Sequence, residues 1–388
     1  MSYLSHLQCS HCNRIFDADQ LIRVCPDCEL PLLARYDLAK AAAEVDRDAL
    51  PCRPASMWRF HELLPVRDPA HIVTLGEGGK PVLKLDRLGE SLGLNHLYIK
   101  DEGQNPTGSF KALGLATAVS RACELGVTEF VIPTAGNAGG ALAAYAARAG
   151  AKAHVYMPGD APLVNITEVQ MTGADLQLVN GLINDAGREA AIAAAAGGWF
   201  DVSTLKEPYR VEGKKIMGYE LAMAFGWQLP DVIIYPTGGG TGLIGMWKAF
   251  AEMEAMGWIS HHRPRMVAAQ SSGCAPVVKA FQEGAETAVP WENAATLAGG
   301  LRVPVVIGGR LMLTALRESH GTGVAVSDNH ILDAQQRLAV SEGMFVSLEA
   351  AATVAALEEL VQSGWIRPHE RVLIFNTGSG LKYRLLLM

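Results

Sequence analysis

The sequence predicts an α/β protein: parallel β-structure covered by helices, preceded by a small cysteine-rich module. Three observations predict it. From about residue 90 onward, short β-branched runs alternate with Ala-rich stretches, the pattern of strand–helix–strand units with buried strands. Apolar residues make up 49% of the 388 and charged residues only 19%, which implies much buried surface. Four of the seven cysteines fall near the N-terminus with the spacing C-x2-C-x12-C-x2-C.

The N-terminal module comes first. Cys9 and Cys12 form one pair, Cys25 and Cys28 another. Each pair can grip a metal ion from a tight turn, and two pairs complete a tetrahedral site. The intervening NRIFDADQLIRV is long enough to fold back as a β ribbon. A closed, structural zinc ribbon over residues 1–45 is expected; four buried thiols that bind nothing are the alternative. A nucleic-acid-binding ribbon would need more cations than Arg14 and Arg23, and the net charge of −7 leaves no basic footprint. Residues 37–66 carry Pro51, Pro54 and Pro65 with mixed charge, and read as a linker with helical stretches at 41–45 and 58–64. Strands are then expected at 97–100, 129–133, 153–157, 232–236, 266–270 and 371–376, and helices at 112–125, 139–149 and 243–256. The Ala-rich tract 191–196 reads as a further helix. No apolar run reaches the roughly 18 residues of a membrane span. The first residues lack the basic and apolar regions of a secretion signal, so a cytoplasmic location is expected.

In open α/β sheets, ligands sit beyond the carboxyl ends of strands, and four polar or glycine-rich turns fall there. Residues 105–111 (NPTGSFK) end in Lys111, which opens a helix. The field at a helix start disfavours an ammonium and so suits a Schiff-base amine, although read singly an exposed surface lysine is the plainer choice. Residues 133–140 (PTAGNAGG) let backbone N–H groups approach an anion, and Asn137 adds an amide. Residues 236–242 (PTGGGTG) place three glycines at a helix N-terminus as a phosphate cradle. No Gly-Lys-Ser/Thr follows, so this is no Walker loop. The next strand ends in Gln270-Ser271-Ser272, without the acid a dinucleotide site needs. Residues 376–382 (NTGSGLK) offer hydroxyls at a strand end. Pyridoxal phosphate (PLP) requires an amine for its aldehyde, a partner for its 3′-oxygen, a phosphate pocket and a partner for its pyridine nitrogen. The four turns supply these as a set.

NPTGSFK, TAGNAG at 134–139, GGGTG at 238–242 and TGSGLK at 377–382 resemble the threonine synthase family, PLP enzymes of fold type II. STLKEPYRVEGKK at 203–215 and GLRVP at 300–304 are similar to it too, and the likeness spans about residues 70–388. The resemblance implies two helix-covered parallel sheets, one in a larger PLP-binding domain (46–111 and 210–388) and one in a smaller mobile domain (112–209). It implies that Lys111 holds PLP and acts as the general base, and that Asn137 meets the 3′-oxygen. Gly238, Gly239, Gly240, Thr241 and Gly242 would bind the phosphate, and Thr377 would face the pyridine nitrogen. Thr134, Ala135, Gly136, Asn137 and Ala138 would hold the substrate's α-carboxylate. Lys80, Ser109, Arg210 and Lys214 are the candidates for an anionic group of the substrate. The implied reaction converts O-phosphohomoserine and water to threonine and phosphate, in an expected homodimer that acts on a small amino acid and binds neither nucleic acid nor membrane. A related β-elimination or β-replacement enzyme, such as a hydroxyamino-acid ammonia-lyase or a cysteate-synthase-like enzyme, is an alternative. A non-catalytic zinc-ribbon binding protein on an enzyme scaffold is another. The chain departs from the family pattern in three places: GEGxTP is GEGGKP at 76–81, with Lys80 for Thr; Lys-Asp-Arg-Gly is Lys111-Ala112-Leu113-Gly114; and Pro-Glu-Gly is Leu348-Glu349-Ala350.

Overall fold

The computed structural model describes residues 1–181 and 183–383. The strands are β1 Leu4–Cys9, β2 Ile15–Asp17, β3 Leu32–Tyr36, β4 Val82–Lys84, β5 His96–Asp101, β6 Glu129–Pro133, β7 Lys152–Pro158, β8 Asp175–Val179, β9 Phe200–Asp201, β10 Val232–Pro236, β11 Arg265–Ser271, β12 Thr322–Val326 and β13 Arg371–Asn376. The helices are α1 Leu38–Glu44, α2 Asp86–Leu92, α3 Lys111–Glu124, α4 Asn137–Ala149, α5 Leu163–Met171, α6 Ile183–Gly197, α7 Tyr209–Ala224, α8 Thr241–Ala255, α9 Pro276–Gln282, α10 Gly309–Glu318, α11 Asp328–Glu342 and α12 Leu348–Gln362. Two compact units result: Met1–Gly79 with Asn105–Ile216, and Lys80–Gln104 with Met217–Met388.

The first unit holds a four-stranded parallel sheet of order β8-β7-β6-β9 and a three-stranded antiparallel ribbon of order β2-β1-β3. The ribbon shares its core with the rest of the unit. Leu4, Leu7, Cys9, Cys25, Leu32 and Tyr36 lie in one apolar cluster with Ala118 of α3 and Tyr209 of α7. Arg121 of α3, 1% exposed, donates to the Ala18 carbonyl at 2.8 Å and to the Asp19 carboxylate at 2.6 Å. The linker is tied in as well: the Val73 N–H donates to Ser120 Oγ and the Gly78 N–H to Asn105 Oδ1, both at 2.9 Å. These bonds tie residues 73–79 to the first unit; the units divide at 79/80, 104/105 and 216/217.

The second unit is a six-stranded sheet of order β12-β11-β10-β13-β5-β4, parallel except for β4 at its edge. All five residues of β10 are buried, as expected of a strand covered on both faces. Because β10, β13 and β5 are parallel neighbours, their carboxyl ends lie along one rim. Helix ends follow local chemistry. Ser327 caps α11 by accepting the His330 N–H, and Gly343 closes it with φ 71. No helix among the described residues is long and apolar enough to cross a membrane.

Candidate active site

Lys111 is the first residue of α3, reached through a tight turn in which Thr107 and Gly108 have φ 60 and 62. No side chain caps this helix and no acid lies in its first turn, so its dipole opposes a charge on the Lys111 amine. The head of α7 crosses α3 at two glycines. A Cβ on Gly213 would strike the Leu113 carbonyl, and one on Gly114 would stand 3.0 Å from both the Arg210 oxygen and Lys214 Cε. That close approach brings Arg210 and Lys214 to the start of α3. Lys214 Nζ donates to the Phe110 carbonyl and lies 4.0 Å from the Phe110 ring centroid; Lys111 Nζ lies 4.1 Å from the same centroid.

Arg210 is 2% exposed. Its Nη1 donates to the Val202 carbonyl at 2.7 Å, while its Nε has no partner. Glu207 accepts the Tyr209 and Arg210 N–H groups at 2.7 and 2.9 Å, capping α7. Burial pushes the Glu207 carboxyl up to about 7, against the pull of Arg210. Ser109 Oγ and Asn137 Oδ1 are buried without a partner. Thr134 Oγ1 accepts the Gly136 N–H at 3.2 Å, which shapes the turn before α4, and α4 starts with no side-chain cap. Helix α4 packs on the 106–108 turn, so the Asn137 turn and the approach to Lys111 are neighbours.

Asn165 was not singled out from the sequence. It is 4% exposed on α5, its Oδ1 has no partner, and its Nδ2 would lie 3.3 Å from a Cβ on Gly136. Among Thr167, Glu168 and Gln170 of the same helix, nothing in the sequence marked this amide as the buried one. Phe110 was passed over because its role needs α7. Glu77 of the GEG segment is fully buried and accepts Trp58 Nε1 at 2.7 Å and the Tyr145 hydroxyl at 2.6 Å, a structural use.

The other candidates lie in the second unit. Gly240, with φ 75, is the N-cap of α8, which has no side-chain cap and no acid in its first turn. A Cβ on Gly238 would strike the Gly300 carbonyl, one on Gly240 the Met312 sulfur, and one on Gly242 the Tyr235 hydroxyl. The cradle therefore admits only glycine at these places and presents open N–H groups, as a phosphate site requires. Gly300 in turn donates to Glu349 Oε1 at 2.6 Å. The glutamate of Leu348-Glu349-Ala350 thus pins the GLRVP loop against the cradle. Thr377, 5% exposed, directly follows β13 on the same rim. The Lys80 side chain is half-buried, and its carbonyl accepts Lys100 Nζ at 2.8 Å. Lys100 is itself buried between Glu102 at 3.1 Å and Glu220 at 2.7 Å.

The donor set fits PLP: a lysine held at a helix start, an orphaned amide on Asn137, and a cradle that any Cβ would fill. At the N-terminus, the sulfurs of Cys9, Cys12, Cys25 and Cys28 all lie within 4.8 Å of one another.

Residues 73–378 match the family described as pyridoxal-phosphate dependent enzyme. The threonine synthases of Methanocaldococcus jannaschii and Methanosarcina acetivorans are each 36% identical to the chain, over 97% of it and 92% of theirs. The chain belongs to the threonine synthase family. The threonine synthase of Mycobacterium leprae is 32% identical, over 85% of this chain and 89% of its own. Among solved structures, maize serine racemase superposes with a TM-score of 0.68 at 22% identity, covering 79% of this chain and 89% of its own. The processed threonine deaminase isoform 2 of Solanum lycopersicum gives 0.67 at 21%, covering 77% and 79%. At that identity they establish the fold, type II of the PLP enzymes. As a member of the threonine synthase family, the protein is a PLP-dependent lyase.

Proposed function

We propose that the protein converts O-phosphohomoserine and water to threonine and phosphate, with PLP on Lys111 and a structural zinc in the N-terminal ribbon. The observation that carries the substrate is Arg210: a buried guanidinium with an unpartnered Nε–H, next to Lys214, at the head of α7 where that helix crosses the start of α3, the helix that Lys111 opens. A buried cation costs free energy unless it meets an anion, and a guanidinium fork matches phosphate. Glu207 does not remove that need, because its oxygens already accept two backbone N–H groups and its carboxyl ionises only near 7.

When bound, PLP would supply the electron sink that makes the substrate's Cα and Cβ protons removable. Lys111 would hold the cofactor's aldehyde carbon, and its amine would serve as the base for the Cα proton. Asn137 would meet the 3′-oxygen, the N–H groups of Gly238, Gly239, Gly240, Thr241 and Gly242 would hold the phosphate, and Thr377 would face the pyridine nitrogen. Thr134, Ala135, Gly136 and Ala138 hold the α-carboxylate at the uncapped start of α4. Arg210, Lys214, Ser109 and Lys80 hold the substrate phosphate. Over the whole turnover, phosphate leaves Cγ, Cγ gains a proton in place of the one Cβ gives up, water places its hydroxyl on Cβ and yields its other proton to the phosphate, and Lys111 returns the proton to Cα.

For the ribbon, Zn–S bonds of about 2.3 Å put tetrahedral sulfurs about 3.8 Å apart. The Cys9–Cys28 and Cys12–Cys25 sulfurs stand 3.4 and 3.7 Å apart, which supports that geometry. A cytoplasmic homodimer that leaves nucleic acid unbound completes the reading, and sedimentation tests the dimer.

The deciding experiment offers O-phosphohomoserine, phosphoserine, Thr and Ser to the PLP-loaded protein while following its visible spectrum. Phosphate release from phosphohomoserine, with threonine formed, is expected. Ammonia and keto acid from Thr or Ser, with phosphohomoserine inert, would reject the substrate. Lys111→Ala should abolish turnover and leave no borohydride-reducible cofactor. A reduced pyridoxyl group on Lys100 or Lys382 would overturn the lysine assignment.

A further inference from the structure

Two amines share one aromatic ring at the start of α3. Lys111 Nζ and Lys214 Nζ lie 4.1 and 4.0 Å from the Phe110 centroid, so the two nitrogens are at most about 8 Å apart. Lys214 is fully buried and donates to the Phe110 carbonyl, a charge-assisted bond that favours its ammonium form. Its Cε packs close to the backbone of α3 at Gly114, where a Cβ would stand 3.0 Å off. The Phe110 ring face is a further partner for the Lys214 ammonium; toward Lys111 it favours the charged form and works against the neighbouring cation.

We propose that Lys214 is a positioning residue for Lys111: it pins the turn through the Phe110 carbonyl and, as a fixed neighbouring cation, keeps the Lys111 amine uncharged near neutral pH. This rests on the reading of Lys111 as the cofactor lysine. An amine must be uncharged to attack an aldehyde and to accept a proton. The field of the helix start and a fixed like charge act in the same direction. Charged groups at the head of α7 act here too: Arg210 adds to the effect, Glu207 just before the helix opposes it when ionised, and Asp201 of β9 offsets Arg210. Lys215 and Glu212 neutralise each other at 2.8 Å. The α4 side brings the neutral Asn137, and the approach turn the neutral Thr107 and Ser109. The first turn of α3 brings no second charge, since Ala112 and Leu113 stand where the family pattern has Asp-Arg, and both are fully buried; its Arg121 and Glu124 lie in the last turn and pair with each other.

The test titrates the lysine amines of the full chain, freed of cofactor, by 13C reductive methylation and NMR. The Lys111 signal is assigned by its loss in Lys111→Arg. Its midpoint should lie at least about one pH unit below those of exposed lysines. Lys214→Gln keeps a donor for the Phe110 carbonyl without the charge, and should raise the midpoint by about one pH unit. Lys214→Met should do the same; if it fails to fold, Lys214→Gln decides. A Lys111 midpoint unmoved in Lys214→Gln overturns the proposal, as does Lys111 titrating with the exposed lysines in the parent chain. Borohydride reduction of the loaded protein separates the two ideas. A pyridoxyl group elsewhere than Lys111 removes the cofactor assignment and leaves the amine titration standing.

Discussion

Glu207 is the residue whose ionisation the fold perturbs in the direction of instability at neutral pH. Burial raises its carboxyl from the usual 4.5 to about 7. For an acid raised on folding, the associated stability is full below about 4.5 and is lost as pH rises through about 7. Glu129 and Asp175 work the other way. Each is held below its ordinary value, first by a hydrogen bond to His154, at 3.1 and 2.9 Å. Their contribution is present above the ordinary carboxylate range and is lost as pH falls through their folded values. Glu207→Gln, which can still accept an N–H at the head of α7, should therefore gain melting temperature relative to the parent as pH rises from 5 to 7.5. Thermal melts at pH 5, 6 and 7.5 check this; a difference that stays constant across them would show that the carboxyl does not titrate there.

The crossing of α3 and α7 decides where the charged groups of the first unit meet, and it rests on two small residues. A methyl group on Gly213 would run into the Leu113 carbonyl, which is backbone and cannot turn aside. Gly213→Ala should therefore cost about 1–3 kcal/mol, as overpacking does, and lower PLP affinity by displacing Lys214. Gly187 is the control: it lies inside α6 with open space around its Cβ position, so Gly187→Ala should stabilise by about 0.5–1 kcal/mol. Chemical denaturation of both variants reads the contrast, and equal effects would remove the argument from close approach. This crossing was not legible in the sequence. An isolated glycine in a helical stretch names no partner, whereas Gly238, Gly239 and Gly240 in a row after a buried strand announce a cradle. The same limit hid β8 and β12. They lie at sheet edges, with burial patterns that carry no clean alternation. The strands at 129–133, 232–236 and 371–376 were legible because continuous apolar runs between turns have few other uses.

On the scale of the molecule, the question is whether the ribbon is a separate module, as its compact cysteine spacing suggested. The spacing showed the knuckles but not their neighbours, which come from α3 and α7, far along the chain. Cys9 and Cys25 sit in a cluster with Ala118 and Tyr209, and Arg121 binds Asp19 from one side while Arg67 does so from another. Lys215 lies 3.7 Å over the Tyr36 ring. Tyr209 directly precedes Arg210, the residue proposed to meet the substrate phosphate. Metal bound only by the folded ribbon stabilises whatever the ribbon is packed against, because binding free energy and folding free energy are linked. Stripping the metal with a chelator should therefore lower the melting temperature and speed amide hydrogen exchange in three places: residues 4–36, α3, and the first turns of α7. Exchange in β10, β13 and α8 of the second unit should change least, since the core around those strands is built from residues of the second unit. The same treatment should raise KM for phosphohomoserine more than it lowers kcat, because loosening Arg210 weakens a contact shared by ground and transition states. Hydrogen-exchange mass spectrometry with and without chelator separates the cases. Faster exchange confined to residues 4–36 would make the ribbon an independent module; faster exchange that extends into α3 and α7 would make its metal part of the support of Arg210.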